Sequence, residues 1–115
     1  IHFNTAAPAD EVQAWYVEHF GAEPVERGRF AAGNVPGVVL LFSSIEGAWA
    51  PTRGRGLDHI GFEVRDLEAF CQKLEAAGLT FDRPYGLVPG FEKLAIAYLT
   101  DPWGTYIELT ENLAP

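Results

Sequence analysis

The chain has 115 residues, 48% of them hydrophobic and 21% charged, which is the composition of one globular domain and not of a disordered tail. A net charge of −8 and a pI near 4.7 repel phosphate-rich partners over most of the surface, so nucleic acid is a poor fit. No apolar run approaches the roughly 18 residues of a membrane span, and a single cysteine, Cys71, allows no internal disulfide.

His2-Phe3-Asn4-Thr5 opens the chain as an extended run. Ile1 in place of an initiator methionine reads as a sign of missing upstream residues; the lone thiol only tolerates a reducing compartment, and a cytoplasmic location is the expectation. Pro8-Ala9-Asp10-Glu11 then supplies helix-start chemistry, with proline in the first turn and two carboxylates at the positive end of the helix dipole. Val12, Trp15, Tyr16 and Phe20 recur at helical spacing, and Gly21 fits a left-handed cap. His19, in this helix without a counterpart ligand, reads as a surface or helix-end histidine.

Glu23 to Phe30 alternates loosely and leads to an expected turn at Gly33-Asn34-Val35-Pro36-Gly37, followed by a β-branched strand over 37–43. Residues 44–56 have no periodicity and carry three glycines and a proline, the marks of a linker. Arg53 and Arg55 in that stretch read as a solvated pair, with an anion clamp as the alternative, and Trp49 as a candidate lid.

The second half repeats the first. Leu57-Asp58-His59-Ile60-Gly61-Phe62-Glu63-Val64 is extended, and Asp66 caps a helix whose apolar stripe is Leu67, Phe70, Leu74 and Ala77. Cys71 lies in that helix as a buried structural thiol. A weak strand over 81–85 and a loop over 86–90 precede a strand over 91–100. The tight turn Asp101-Pro102-Trp103-Gly104 leads to the last strand, 105–110. Each of His2 and His59 stands 19 residues before the glycine that ends its helix, Gly21 or Gly78.

The order is thus strand, helix, three strands, written twice. The expected fold is α+β, two paired βαβββ modules forming a curved mixed sheet around a metal-binding cavity. Within a single domain over 1–115, module one covers 1–43, the linker 44–56 and module two 57–115. Strand alternation puts His59 with Gly61 and Glu63, Glu108 with Tyr106 and Thr110, and His2 with Asn4, all on the face away from the helices. Two imidazoles and a carboxylate are a ligand set that holds a divalent metal and leaves positions open for substrate. Tyr98, Tyr106 and Asn4 are the candidate substrate contacts; Glu63 reads as a strand-end carboxylate with a general base as the alternative.

Four stretches carry a family resemblance: His2 in the first strand, Trp15-Tyr16-Val17-Glu18-His19-Phe20-Gly21, Leu57-Asp58-His59-Ile60-Gly61-Phe62, and Thr100-Asp101-Pro102-Trp103-Gly104-Thr105-Tyr106-Ile107-Glu108-Leu109. Together they make the chain resemble the vicinal oxygen chelate superfamily of glyoxalase I, bleomycin resistance proteins, extradiol dioxygenases, methylmalonyl-CoA epimerase and fosfomycin resistance enzymes. The resemblance implies a U-shaped cavity with one divalent ion (iron, manganese, nickel or zinc) on His2, His59 and Glu108, and a homodimer. Matching Gly37 to Gly104 places Leu41 opposite Glu108, so the pattern is similar to the three-ligand sites of the dioxygenases and fosfomycin enzymes and departs from four-ligand glyoxalase I. Tyr98 resembles a substrate-contacting position of the fosfomycin enzymes, but their glycine- and serine-rich potassium loop has no counterpart here. The function this implies is metal-dependent chelation of neighbouring oxygens of a small organic substrate, for lyase, isomerase or dioxygenase chemistry. The alternatives are a metal-free, bleomycin-resistance-like protein that sequesters a small molecule in an aromatic, acidic groove, and a decayed enzyme serving as a structural module.

Overall fold

A computed structural model describes residues 1–47 and 49–113. Its elements follow the order β1 (His2–Thr5), α1 (Ala9–Phe20), β2 (Glu23–Arg27), β3 (Phe30–Val35), β4 (Val38–Ser44), β5 (His59–Glu63), α2 (Leu67–Ala76), β6 (Arg83–Leu87), β7 (Ala95–Thr100) and β8 (Tyr106–Glu111). They form two compact units, Ile1–Trp49 and Ala50–Pro115, each a four-stranded mixed sheet with one helix. The strand, helix, three-strand order written twice is therefore the observed one. No described helix is long and apolar enough to cross a membrane.

In the first unit the sheet order is β1-β4-β3-β2, with β1 parallel to β4 and the other pairs antiparallel. The helix α1 ends at Gly21, whose φ of 65° is the left-handed conformation that glycine adopts without a Cβ clash. Its inner face buries Val12 and Tyr16 against Phe3 and Phe42, the Tyr16 and Phe42 rings stacking at 5.5 Å. Gln13 fastens the same helix to the sheet by donating from Nε2 to the carbonyls of Val25 and Ala32.

The second unit has the order β5-β8-β7-β6, again with one parallel pair, β5 with β8. The helix α2 begins at Asp66, whose Oδ1 accepts the Ala69 N–H, and rests on β6, β7 and β8. Leu67, Cys71 and Leu74 form its buried side, and Leu99, Ile107 and Leu109 are buried on the strands. The alternation expected from sequence holds on β5 and β8: Ile60, Ile107 and Leu109 go into the core, and His59 and Glu108 keep solvent access.

Four local expectations are corrected. The expected turn at 33–37 is strand: Gly33 and Asn34 belong to β3, and the turn shrinks to Pro36-Gly37. A Cβ on Gly33 would stand 3.0 Å from the Cβ of Ala22, so the glycine marks a close approach and not a bend. His19 is buried at 7% exposure, with its ring 5.0 Å from Trp15 one turn earlier, so it is a packed helix-end residue and not a surface one. The strands expected over 81–85 and 91–100 are instead Arg83–Leu87, bulged between Arg83 and Gly86, and Ala95–Thr100.

Candidate functional site

The open face of the second sheet carries the site. Register places Glu108 in the middle, with Gly61 of β5 on one side and Tyr98 of β7 on the other, while His59 lies opposite Tyr106. The atom nearest a Cβ built on Gly61 would be Glu108 Oε2, at 3.5 Å, so a larger side chain there would crowd the carboxylate. Tyr98 donates its hydroxyl to Glu108 Oε1 at 2.5 Å, leaving Oε2 to face His59 Nε2 at 3.4 Å. The Tyr98 and Tyr106 rings stack at 5.0 Å, and His59 stands edge-on to both.

His59 is oriented by its neighbour in sequence. Its Nδ1 lies 2.8 Å from Asp58 Oδ1, and the other Asp58 oxygen accepts the Gly54 N–H at 2.5 Å. These two bonds, the histidine one first, hold the Asp58 carboxyl below its usual value. On the other side of the ring, Nε2 faces Glu108 Oε2 at 3.4 Å, a separation that a shared proton or a cation can bridge. A carboxylate behind a histidine and a second carboxylate in front is the arrangement that holds a divalent metal, so the donor set fits one. Within the second unit, no third described His, Cys, Asp or Glu side chain joins this pair as a ready cage.

Burial shapes the two tyrosines. Desolvation, followed by the hydrogen bond to Glu108, pushes the Tyr98 phenol up to about 12, so it remains a donor at neutral pH. Desolvation also raises Tyr106, opposed by the nearby Arg53 cation.

The segment before β5 is tied down onto β8. Thr52 donates its N–H to the Gly104 carbonyl and accepts the Tyr106 N–H on its hydroxyl. The Asp101 carboxylate shapes the adjoining turn by accepting the Trp103 and Thr105 N–H groups. This anchorage puts the Arg53 guanidinium 4.6 Å from the centre of the Tyr106 ring, with the side chain still largely exposed. Asp58 and Arg83 were not among the expected site residues, and Arg53 entered only through the alternative reading of an anion clamp. The adjacency Asp58-His59 was the available signal for the first; the register of β6 alone brings in Arg83.

His2 lies on the exposed face of β1 in the first unit, with Nε2 2.7 Å from Ser43 Oγ and its ring edge-on to Phe30. Asn4 shares that face and, with His2, Phe30 and Ser43, lines a cavity of about 480 Å³. Parallel pairing aligns His2 with Leu41 and His59 with Tyr106; two residues on, it aligns Asn4 with Ser43 and Gly61 with Glu108. Ser43, not Leu41, is therefore the first-unit counterpart of Glu108. The glycine match misled by two residues because the turn between β3 and β4 is shorter than that between β7 and β8. Continuing the register of β3 puts Phe30 where Tyr98 stands, and Arg27 where Arg83 stands. The first unit thus repeats the constellation with a hydroxyl in place of the carboxylate and a phenyl in place of the phenol. Glu63 accepts the Thr110 hydroxyl and the Leu113 N–H, which makes it a strand-end tie.

Known proteins carry the same plan. A domain from Frankia sp. EAN1pec, described as glyoxylase/bleomycin resistance protein/dioxygenase, superposes with a TM-score of 0.76 at 25% identity, covering 96% of this chain and 87% of that one. Lactoylglutathione lyase from Agrobacterium tumefaciens superposes at 0.72 with 19% identity over 97% of this chain and 90% of that one, a likeness of fold. Lactoylglutathione lyase of Pseudomonas aeruginosa is 37% identical over 57 residues, which is 50% of this chain and 30% of that protein, so the match spans under a third of the relative's length. The model of one family matches residues 7–109. The chain belongs to the Glyoxalase/Bleomycin resistance protein/Dioxygenase superfamily.

Proposed function

We propose that the chain is a divalent-metal-dependent enzyme that chelates neighbouring oxygens of a small organic substrate, for lyase, isomerase or dioxygenase chemistry. The observation that carries the proposal is the His59–Glu108 pair, Nε2 to Oε2 at 3.4 Å, with Asp58 against the other ring nitrogen. His59 Nε2 and Glu108 Oε2 would hold the ion, with His2 as the third ligand. A bound divalent ion (iron, manganese, nickel or zinc) supplies Lewis acidity to oxygens on which negative charge develops.

The protein's own groups do the rest. Asp58 keeps the His59 ring in one orientation, so its Nε2 does not have to search for its partner. Tyr98 holds its proton on Oη against Glu108 Oε1, which leaves the carboxylate one free oxygen and fixes its direction. The stacked Tyr98 and Tyr106 rings wall one side of the site. Similarity to lactoylglutathione lyase over half the chain supports the enzyme reading at the level of the superfamily. A small-molecule substrate, absence of nucleic-acid and membrane partners, and assembly as a homodimer belong to the same proposal.

Elemental analysis of protein purified without chelator tests it. The expected result is about one divalent ion per chain, lost in His59→Ala and Glu108→Ala and weakened in His2→Ala. Wild-type protein that takes up no ion after reconstitution with each of the four metals would refute the proposal and promote the sequestering alternative.

A further inference from the structure

Beside the His59–Glu108 pair lies a cavity of about 450 Å³ whose walls include Arg53, Arg83, Asp58, Asp82, Tyr98 and Tyr106. That volume suits a small organic molecule. Its charges are not equally available. Asp58 is engaged by His59 and Gly54, and Asp82 accepts the Thr100 hydroxyl on Oδ2 at 2.7 Å. The cations are looser. Arg53 reaches Asp82 only at 3.9 Å with its side chain 61% exposed, and Arg83 makes no ion pair with a described residue. The Tyr106 hydroxyl has no hydrogen-bond partner among the described residues, and Tyr106 adds a neutral donor to the same cavity.

In a chain with 8 basic and 16 acidic residues, a cavity whose two guanidinium groups match its two carboxylates is less acidic than the chain as a whole. Arginine offers planar, paired donors matched to an oxyanion, and the Arg53 guanidinium lies over the Tyr106 ring, 4.6 Å from its centre. We infer that Arg53 and Arg83 form an oxyanion subsite beside the His59–Glu108 pair, so the substrate is a small organic acid whose carboxylate or phosphoryl group docks there while its neighbouring oxygens face the pair. This deepens the proposed function and rests on it for the position of the reacting oxygens.

The test is an NMR titration of the full chain, with and without Zn²⁺, following the arginine Nε–H signals with three probes: lactate, its neutral amide lactamide, and inorganic phosphate. Lactate or phosphate should shift the Arg53 and Arg83 signals, and whichever binds more tightly assigns the carboxylate or the phosphoryl class. Lactamide at equal concentration should leave them in place. Arg83→Gln and Arg53→Gln should each weaken oxyanion binding about tenfold or more, as loss of a charge-assisted pair requires. Arg27→Gln, at the matching register position of the first unit, should bind as wild type does. Equal response to lactate and lactamide, or wild-type affinity in both Arg53→Gln and Arg83→Gln, overturns the subsite even where Zn²⁺ still binds. A retained oxyanion response in protein that takes up no divalent metal overturns the proposed function and leaves the subsite standing.

Discussion

Tyr98→Phe removes one oxygen and one hydrogen bond while keeping the ring that stacks on Tyr106. The bond lost runs to a carboxylate, and such bonds contribute about 1.5–3 kcal/mol when both partners are sequestered. The Glu108 side chain is 19% exposed, so water replaces part of the lost donor. The net cost should fall at about 1–1.5 kcal/mol. For 115 residues the unfolding entropy is about 0.24 kcal/mol/K, which converts that cost to a fall in Tm of about 4–6 °C. The assay is thermal and urea unfolding of the metal-free protein for wild type, Tyr98→Phe, Glu108→Gln and the double variant. A coupling energy of about 1 kcal/mol between the two positions is expected from residues in direct contact. Additive losses, or a Tyr98→Phe change inside about 0.3 kcal/mol, would mean that the hydroxyl does not hold Glu108 in place.

Two further outcomes follow from the same geometry. The Asp58 carboxyl is held below its usual value, chiefly by His59 and then by the Gly54 N–H. A depressed acid stabilises the folded state above its unfolded value, and that contribution disappears as pH falls through the lower folded value. A carbon-13 titration of the Asp58 carboxyl should therefore have its midpoint below that of the same carboxyl in the unfolded chain, and an equal or higher midpoint would contradict the Asp58–His59 pairing. Cys71 is 3% exposed, and burial, with Glu75 adding, pushes its thiol up to about 11. Native protein at pH 8 should resist an aromatic disulfide reagent that labels the unfolded chain at once, and stoichiometric labelling of the native state within a minute would place Cys71 outside the core.

Much of this site was legible in the sequence, because strand alternation is a local rule. Ile60, Ile107 and Leu109 demanded the core, and their neighbours His59 and Glu108 had no choice of face. The Asp66 cap and the Gly21 stop were equally local. What escaped was whatever depended on distance along the chain. The pairing of Ser43 with Glu108's position turns on the lengths of two hairpin turns, and a glycine anchor miscounted them by an even number, which kept the face right and the residue wrong. Gly33 and Asn34 carry turn chemistry, yet they pair within β3, and position 33 is glycine because Ala22 leaves no room there for a side chain. Arg83 enters the site through a register that a bulge interrupts, and no sequence pattern announces that.

The parallel pairing of β5 with β8 has a kinetic consequence. His59 and Glu108 are separated by 49 residues, and they meet only when the first and last strands of the unit close on each other. A flexible loop of that length costs about 3.4 kcal/mol of closure entropy on logarithmic scaling, which the adjacent antiparallel hairpin of β7 and β8 does not bear. The hairpin therefore forms early and the parallel strand joins late, as contact-order reasoning expects of a non-local pair. Whatever occupies the space between His59 and Glu108 binds a pair that exists only after that closure. Occupancy should slow unfolding far more than it speeds folding, and the lifetime of the bound protein becomes a reading of how firmly β5 is held against β8.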